Sequence, residues 1–258
     1  MTEATHGPAH ALIPDELYGC PRARDVIRAA LRTFRERFWR VAGTAFVVFG
    51  TVAAIDAVAT VFIVEHASRP LGATAASIGA AVLSMAGVVV YAGILDKVVG
   101  AHLHGHPDLS LGEITRVLPL GRLVAADALL AVLTVAGLLL FVVPGIVVFT
   151  FWSLVGPVIT IEDRAVSAAF RRSWRIVRPC FWLTFFLVTL PLQVEQAVLH
   201  AIHYAELYDH PAVPAFLVNG LLGMVIGSLV GLVEVVLAYD LIARVPRGDV
   251  ARAEHAAP

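Results

Sequence analysis

The chain has 258 residues, of which 59% are hydrophobic and 15% charged, with a formal net charge of −1. Soluble globular proteins are roughly 45–50% apolar and about 25% charged. This composition therefore excludes a disordered protein, a disulfide-rich secreted scaffold and most soluble enzymes. A near-neutral chain gives no electrostatic argument for nucleic acid, and its two cysteines, Cys20 and Cys180, are too few for a disulfide framework. The composition indicates an integral membrane protein.

Six apolar stretches are long enough, or nearly so, to span a bilayer, which takes roughly 20 residues. The fourth is the shortest, and Gly156–Pro157 interrupts it. We expect Pro144–Gly145 to form a tight turn that joins it to the third as a hairpin. The predicted fold is therefore all-α, a polytopic membrane protein with six transmembrane helices arranged as three hairpins. The predicted spans are 41–64, 72–95, 123–143, 145–161, 181–202 and 215–240.

The basic residues predict the orientation of these spans. Under a six-span arrangement, 18 of the 19 Lys and Arg residues fall on one side and only Arg69 falls on the other. Loops rich in Lys and Arg stay in the cytoplasm, so we expect both termini there, in a multi-pass protein of the bacterial cytoplasmic membrane. One membrane domain is expected over 21–245, between flexible tails over 1–20 and 246–258.

An amphipathic segment occurs twice, at an offset of 143 residues. Each copy has apolar residues every three or four positions, three arginines beside them and a closing Phe-Trp pair, which is typical of a helix in the headgroup region. We expect the arginines to bind anionic lipid headgroups. The apolar positions are Ile27, Leu31, Phe34 and Phe38, matched by Phe170, Trp174, Val177 and Phe181. The arginines are Arg28, Arg32, Arg35, Arg171, Arg175 and Arg178.

The segment 108–120, before the third span, resembles these two copies only weakly. Its apolar residues Ile114, Val117 and Leu118 keep a helical spacing, but Pro119 interrupts the pattern. We prefer to interpret it as an ordinary polar flank, with a third interfacial helix as the alternative. If all three segments are helices, the chain consists of three units, each an interfacial helix followed by a hairpin.

Four carboxylates lie inside the predicted spans, where a charged side chain is costly and is a functional candidate by default. A proton or substrate relay would have several of them facing one cavity. The alternative, which we prefer from the sequence alone, is that each makes an interhelical hydrogen bond or lies near an interface. The four residues are Asp56, Asp127, Glu195 and Glu234.

Two groups of histidines raise a metal-binding hypothesis, because imidazole suits zinc and copper. One group alternates in a predicted cytoplasmic loop, and the other lies at the outer end of the fifth span. No cysteine, Glu–His motif or further ligand at a diagnostic spacing completes either set. We therefore expect no metal and no cofactor. The histidines are His102, His104 and His106, and His200 and His203.

Small and kinking residues mark two of the predicted spans. Gly223, Gly227 and Gly231 repeat every four residues in the sixth, a spacing that allows close helix approach. We expect that contact inside the bundle rather than between subunits. Pro191 is a predicted kink in the fifth span.

Several short motifs, most of them in the second half of the chain, carry a family resemblance. They are Val143-Pro144-Gly145-Ile146, Ile161-Glu162-Asp163, Ala168-Ala169-Phe170-Arg171-Arg172-Ser173-Trp174-Arg175, Phe181-Trp182 and Tyr239-Asp240-Leu241-Ile242-Ala243-Arg244. The pattern resembles the membrane domain of glycerophosphoryl diester phosphodiesterases and related stand-alone six-helix bacterial membrane proteins. Ile242 departs from that family's usual arginine. The family's chemistry belongs to a separate barrel with an early His-Arg pair, which this chain lacks, so the resemblance implies the membrane part without the enzyme.

We therefore expect a non-enzymatic membrane protein, either a transporter component or a scaffold that binds anionic lipid at the cytoplasmic face. Its expected partners are membrane lipids, with a second copy of the chain or exporter subunits as further candidates. The alternatives are an enzyme acting on a lipid or isoprenoid and the membrane subunit of a larger exporter. A cavity shared by two or more of the carboxylates or histidines would favour the enzyme.

Overall fold

A computed structural model describes residues 19–65, 70–104, 110–195, 197–198 and 212–244, although several side chains between 53 and 84 and those from 212 to 223 lie outside the description. Every regular element in these ranges is helical. The helices are α1 (Ala23–Glu36), α2 (Phe38–Glu65), α3 (Pro70–His104), α4 (Leu111–Val117), α5 (Leu120–Leu140), α6 (Val142–Trp152), α7 (Val155–Glu162), α8 (Val166–Val177), α9 (from Phe181 to residue 195) and α10 (Ala212–Arg244).

Five helical stretches in the described part of the chain are long and apolar enough to cross a membrane. The segment Phe38–Val52 of α2 is apolar but shorter than a span within the residues searched. An all-α protein with several membrane helices is therefore confirmed, whereas the six-span count and the three hairpins stay predictions. The five stretches are Met85–Leu103, Leu120–Leu140, Val142–Glu162, Val166–Glu195 and Met224–Arg244.

Large apolar side chains cover much of the outer surface of the bundle. Trp39 is 85% exposed and Leu139 is 84% exposed. Contiguous apolar surface of this kind is rare on soluble monomers, but it is the surface that lipid tails contact. The largest buried side chains point inward and include Leu154 just before α7, Ile159 of α7 and Leu237 of α10.

The two arginine-rich segments adopt the same local arrangement. α2 begins at Phe38 and α9 begins at Phe181, so the starts of these two helices are 143 residues apart, the same offset as in the sequence repeat. Phe38 and Trp39 pack edge to face at 5.3 Å, and Phe181 and Trp182 do so at 5.4 Å. The buried positions of the two helices also correspond. They are Val26, Ala30 and Thr33 in α1 and Ala169, Ser173 and Ile176 in α8.

The connection between α5 and α6 lies upstream of the predicted turn. Phe141 alone links the helices, in an extended conformation, and Pro144–Gly145 lies in the first turn of α6. The prediction of a turn at Pro144–Gly145 was wrong because proline needs no hydrogen-bond partner for its nitrogen in the first turn of a helix. Gly137 and Gly145 instead allow α5 and α6 to pack closely, since a Cβ added at Gly137 would lie 2.8 Å from Gly145 Cα.

The two other predicted irregularities are present as breaks in helical regularity. α6 ends at Trp152 and α7 begins at Val155, so Gly156–Pro157 lies in the first turn of a new helix. In α9, residues Phe185–Thr189 form a π-helical segment immediately before Pro191. A proline cannot donate to the preceding turn, and a π segment is one way that a helix accommodates the unpaired carbonyl.

The segment before the third span does contain a short helix, α4. Ser110 caps it, accepting a hydrogen bond from the Glu113 backbone N–H at 3.3 Å, while Glu113 Oε2 accepts from Ser110 Oγ at 2.7 Å and from Ser110 N at 2.8 Å. These hydrogen bonds from Ser110 lower the pKa of the Glu113 carboxyl below its ordinary value. Ile114 and Leu118 are buried. α4 therefore packs against the bundle, and residues 105–109 before it lie outside the description.

Polar contacts tie the helices together at the end of the bundle where α3, α7 and α10 finish. Lys97 Nζ donates to the Thr160 carbonyl at 3.0 Å, and Tyr239 Oη donates to the Asp96 carbonyl at 3.3 Å. Arg122 at the start of α5 donates to Asp163 Oδ1 at 2.7 Å. The arginine-rich segments lie at this end too, because the Gly19 carbonyl just before α1 accepts a hydrogen bond from Arg244 at the end of α10, and α8 follows α7. We call it the basic end.

Cys20 and Cys180 form a disulfide at this basic end, joining residues 160 apart in sequence. Two cysteines are too few for a disulfide framework, as predicted. They nevertheless form one cross-link, which was not predicted. Spacing alone could not reveal it, because the two residues meet only when α1 packs beside α10 and brings Cys20 to the start of α9.

Candidate functional site

A cavity of about 350 Å³ lies inside the helix bundle and contains most of the predicted intramembrane carboxylates. Asp127 of α5, Glu195 of α9 and Glu234 of α10 all line it. Asp56 belongs to α2, but its side chain lies outside the description. Three carboxylates from three helices thus converge on one space, which is the arrangement expected of a relay or binding site rather than of isolated interhelical hydrogen bonds.

A fourth carboxylate, Asp96 of α3, also lines the cavity and was missed in the sequence. The predicted second span ended at residue 95, which left Asp96 and Lys97 as loop charges. α3 instead continues to His104, and its further apolar residues Val98 and Val99 are buried. The signal was present, because the apolar pattern resumes directly after the charged pair.

Asp96 is the most unusual of the four. Its side chain is only 2% exposed. Oδ2 accepts a hydrogen bond from Thr160 Oγ1 of α7 at 2.5 Å, whereas Oδ1 has no hydrogen-bond partner among the described residues. Buried polar atoms without partners are rare and costly, so Oδ1 marks a position where a donor from outside the protein would be stabilised.

The carboxylates are close enough to influence one another. Glu234 lies within electrostatic range of both Asp96 and Asp127. Asp96 is eight residues before the end of α3, Glu234 ten before the end of α10 and Asp127 seven after the start of α5. At about 1.5 Å per residue they lie roughly 10–15 Å from those helix ends. In a hydrocarbon core about 30 Å thick, the site lies between the basic end and the mid-plane.

The glycines of α10 make room for this site. A Cβ added at Gly227 would lie 3.8 Å from Glu195 Oε1, and one at Gly231 would lie 3.0 Å from Leu95 Cδ1. The predicted inward packing of these two residues is therefore what the structure shows. The surroundings of Gly223 lie outside the description.

Two tyrosines connect α3 and α10 on either side of the acids. Tyr91 of α3 donates to Ser228 Oγ of α10 at 2.7 Å, and Tyr239 of α10 donates back to α3 at the Asp96 carbonyl. Tyr91 and Glu234 are 143 residues apart, as are Asp96 and Tyr239. Each copy of the repeat therefore supplies one tyrosine and one acid. The tyrosine comes first in α3, and the acid comes first in α10.

The remaining lining of the cavity is apolar and aromatic. Phe49 of α2 packs against Tyr91 with ring centroids 5.0 Å apart, and Phe149 of α6 also contributes. No Lys, Arg or His is among the described residues that line the space. The cavity is thus an apolar pocket whose ionisable groups, apart from the Tyr91 phenol, are all carboxylates.

The predicted lipid-binding arginines are all on the surface. Arg28, Arg32 and Arg35 of α1 are exposed beside Ile27 and Leu31, which are 39% and 53% exposed. Arg28 lies 3.3 Å from Asp25, and Arg32 lies 4.0 Å from Glu36, so this stripe is partly paired within its own helix.

The second stripe differs from the prediction in its apolar face. Arg171 and Arg175 of α8, with Arg178 just beyond it, are exposed as expected. Phe170 and Val177, however, are buried in the bundle rather than turned to lipid. α8 therefore buries part of its apolar face against the protein, while Trp174 on that face is 42% exposed.

The structure gives no support for a metal centre in the part of the chain it describes. No group of three or more His, Cys, Asp and Glu side chains there is arranged to hold a metal ion. His102 Nε2 lies 3.1 Å from Glu36 Oε2, which ties α3 to α1. The His104 side chain and the whole of His106, His200 and His203 lie outside the description.

No family model, no curated protein and no solved structure matches this chain. The resemblance to the membrane domain of glycerophosphoryl diester phosphodiesterases stays a prediction from the motifs quoted above.

Proposed function

We propose that this protein is a non-enzymatic membrane transporter component, with the carboxylate-lined cavity as its transit site. The supporting observation is that Asp96, Asp127, Glu195 and Glu234 come from four different helices and line one space. Buried acids in membrane bundles face one another or a cavity where protons or substrates pass. Cross-links within the bundle alone would not leave Asp96 Oδ1 without a partner among the residues that the structure describes.

The proposal includes six spans with both termini in the cytoplasm. α2 has 28 residues, and at about 1.5 Å per residue it is roughly 42 Å long, enough to cross a bilayer. The grouping of the arginine-rich segments at the basic end supports the cytoplasmic orientation of that end. The Cys20–Cys180 disulfide lies at the same end, and it is an observation in favour of the opposite orientation, because the cytoplasm keeps protein thiols reduced.

Proton flux tests the transit role. The protein is reconstituted into liposomes that contain a trapped pH-sensitive dye, and a pH gradient is imposed. We expect the wild-type protein to collapse the gradient faster than empty liposomes and Glu234→Gln to return the rate to theirs. Glu113→Gln is the matched control, because Glu113 is exposed on α4 and outside the cavity. Equal rates for the wild-type protein and empty liposomes would exclude proton transit through the cavity.

We also propose that the exposed arginines of α1 and α8 bind anionic headgroups and fix the position of the bundle in the membrane. Three exposed arginines, Arg171, Arg175 and Arg178, lie close together in sequence with exposed Trp174 and Trp182 beside them, which supports this role. It is compatible with transport and is the basis of the scaffold alternative.

The convergence of carboxylates also favours one alternative, a membrane-embedded enzyme acting on a lipid or isoprenoid. Two neighbouring buried carboxylates can act as general acid and general base. Incubation of the reconstituted protein with radiolabelled lipid extract separates the two functions. A labelled product that Glu234→Gln abolishes would replace the transport proposal. A co-purifying ATPase subunit would instead identify the membrane part of an exporter.

A further inference from the structure

We propose that the cavity binds an organic monocation, an amine or quaternary ammonium compound, with Asp96 and Glu234 as its counter-charges. This inference rests on the proposed transit role only in taking the cavity as the place where the transported molecule resides. It adds the charge and the chemical class of that molecule.

The charge follows from the lining of the cavity. Four carboxylates face the space and no basic side chain does so among the described residues. Lys97, the neighbour of Asp96, donates to the Thr160 carbonyl at 3.0 Å and is not part of the lining. A carboxylate in an apolar interior either takes up a proton or stays ionised beside an opposite charge or hydrogen-bond donors. A cation in the cavity would supply that charge, whereas an anion would be repelled from it.

Asp96 gives the position of the donor. Its Oδ2 is held by Thr160 Oγ1, which fixes the orientation of the carboxylate, and Oδ1 is buried without a partner in the described structure. Glu234 lines the same cavity from α10, which packs against α3. A protonated amine between the two acids would donate to Oδ1 and lie between two negative charges.

The walls of the cavity favour an organic cation over a metal ion. Aromatic rings from Phe49, Tyr91 and Phe149 line the space, and the faces of such rings attract ammonium groups. Among the residues described, no three acidic, His or Cys side chains are arranged as a metal ligand set. The volume of about 350 Å³ is within the range of small-molecule pockets and is far larger than a single metal ion needs.

Binding to the purified full-length protein in detergent tests this inference by calorimetry. The probes are benzyltrimethylammonium, tetraethylammonium and choline, with 3,3-dimethylbutan-1-ol as the uncharged isostere of choline. We expect saturable binding of at least one cation and none of the isostere. Asp96→Asn should weaken that cation by about tenfold or more, as expected for loss of a charged hydrogen bond. Glu234→Gln should also weaken it, and Glu113→Gln should leave it unchanged.

Several results would overturn the inference. They are no binding of any of the three cations, binding of the isostere as tight as that of choline, or cation affinity unchanged in both Asp96→Asn and Glu234→Gln. The cation–isostere comparison needs no variant, so it decides the matter even if Asp96→Asn does not fold. Proton flux without cation binding would reject this inference and keep the transit role. Cation binding without proton flux would keep this inference and exclude proton transit.

Discussion

Arg172 of α8 donates to Glu162 at the end of α7, with Nε and Nη2 at 3.3 Å and 3.1 Å from Oε1. The two side chains are 2% and 1% exposed. Arg164 Nε also donates to Glu162. This buried ion pair closes the turn that leads from the fourth predicted span into the second arginine-rich helix.

Replacement of Arg172 with alanine should destabilise the protein strongly. Removing Arg172 leaves the buried Glu162 carboxylate with Arg164 as its ion-pair partner, so the cost should lie below the roughly 3–5 kcal/mol of a fully uncompensated buried charge. Thermal unfolding in detergent, followed by circular dichroism, measures the change. Arg171→Ala is the matched control, because Arg171 is the adjacent residue and is exposed; its effect should stay within about 0.5 kcal/mol. Similar effects for both substitutions would show that the pair does not support the fold.

Gly137→Ala should separate α5 from α6. Its Cβ would lie 2.8 Å from Gly145 Cα, which is backbone that cannot rotate away. Overpacking of this kind costs about 1–3 kcal/mol. Gly121→Ala in the same helix meets nothing within 4 Å and should be neutral or slightly stabilising, because alanine favours helix. Unfolding midpoints of the two variants provide the comparison, and equal midpoints would contradict the close contact.

The arginines of α8 should determine how much anionic lipid stays with the protein. Replacing Arg171, Arg175 and Arg178 with glutamine should lower the number of anionic lipids retained on purification, since each basic residue near the surface contributes about 1 kcal/mol. Native mass spectrometry counts the lipids. The same three positions replaced with lysine keep the charge and should keep most of the lipid. Retention equal to wild type in the glutamine variant would argue against headgroup binding.

The disulfide should be detectable by counting thiols. Protein purified without reductant and denatured should react with no maleimide, because the chain has two cysteines and both are bonded; after reduction it should react with two. Cys20→Ser and Cys180→Ser each remove the same bond, so both should lower stability by a similar amount, of order 2–4 kcal/mol. The double variant should add nothing further. A free thiol in the unreduced wild-type protein would contradict the pairing.

The membrane class, most of the span positions and the repeat could be predicted from sequence because they depend on local patterns. Apolar run length is a property of a segment, and the offset of 143 is visible as repeated residue types. Ala169, Ser173 and Ile176 of α8 are buried, as are the corresponding positions of α1, so the repeat is also present in the pattern of burial. The turn at Phe141 was missed because Pro144–Gly145 fits either a turn or a first helical turn.

The site was only partly predictable, because it depends on contacts between distant segments. Asp127, Glu195 and Glu234 were visible as acids in apolar runs, yet nothing local shows that they share a space. Asp96 was excluded because the predicted span ended at residue 95, whereas α3 continues to His104. Arg172 was not assigned to the arginine stripe, but nothing local showed that it forms a buried ion pair with Glu162, ten residues earlier.

The position of α1 has a consequence for any division of the chain into two halves. By sequence α1 opens the first copy of the repeat, but it packs against α10 of the second copy, and Cys20 just before it is bonded to Cys180. The Gly19 carbonyl also accepts a hydrogen bond from Arg244 at the end of α10. If the chain were cut between α1 and α2, α1 would stay with the second half. The two copies are therefore interlocked, and neither can swing away from the other at this end as an independent body.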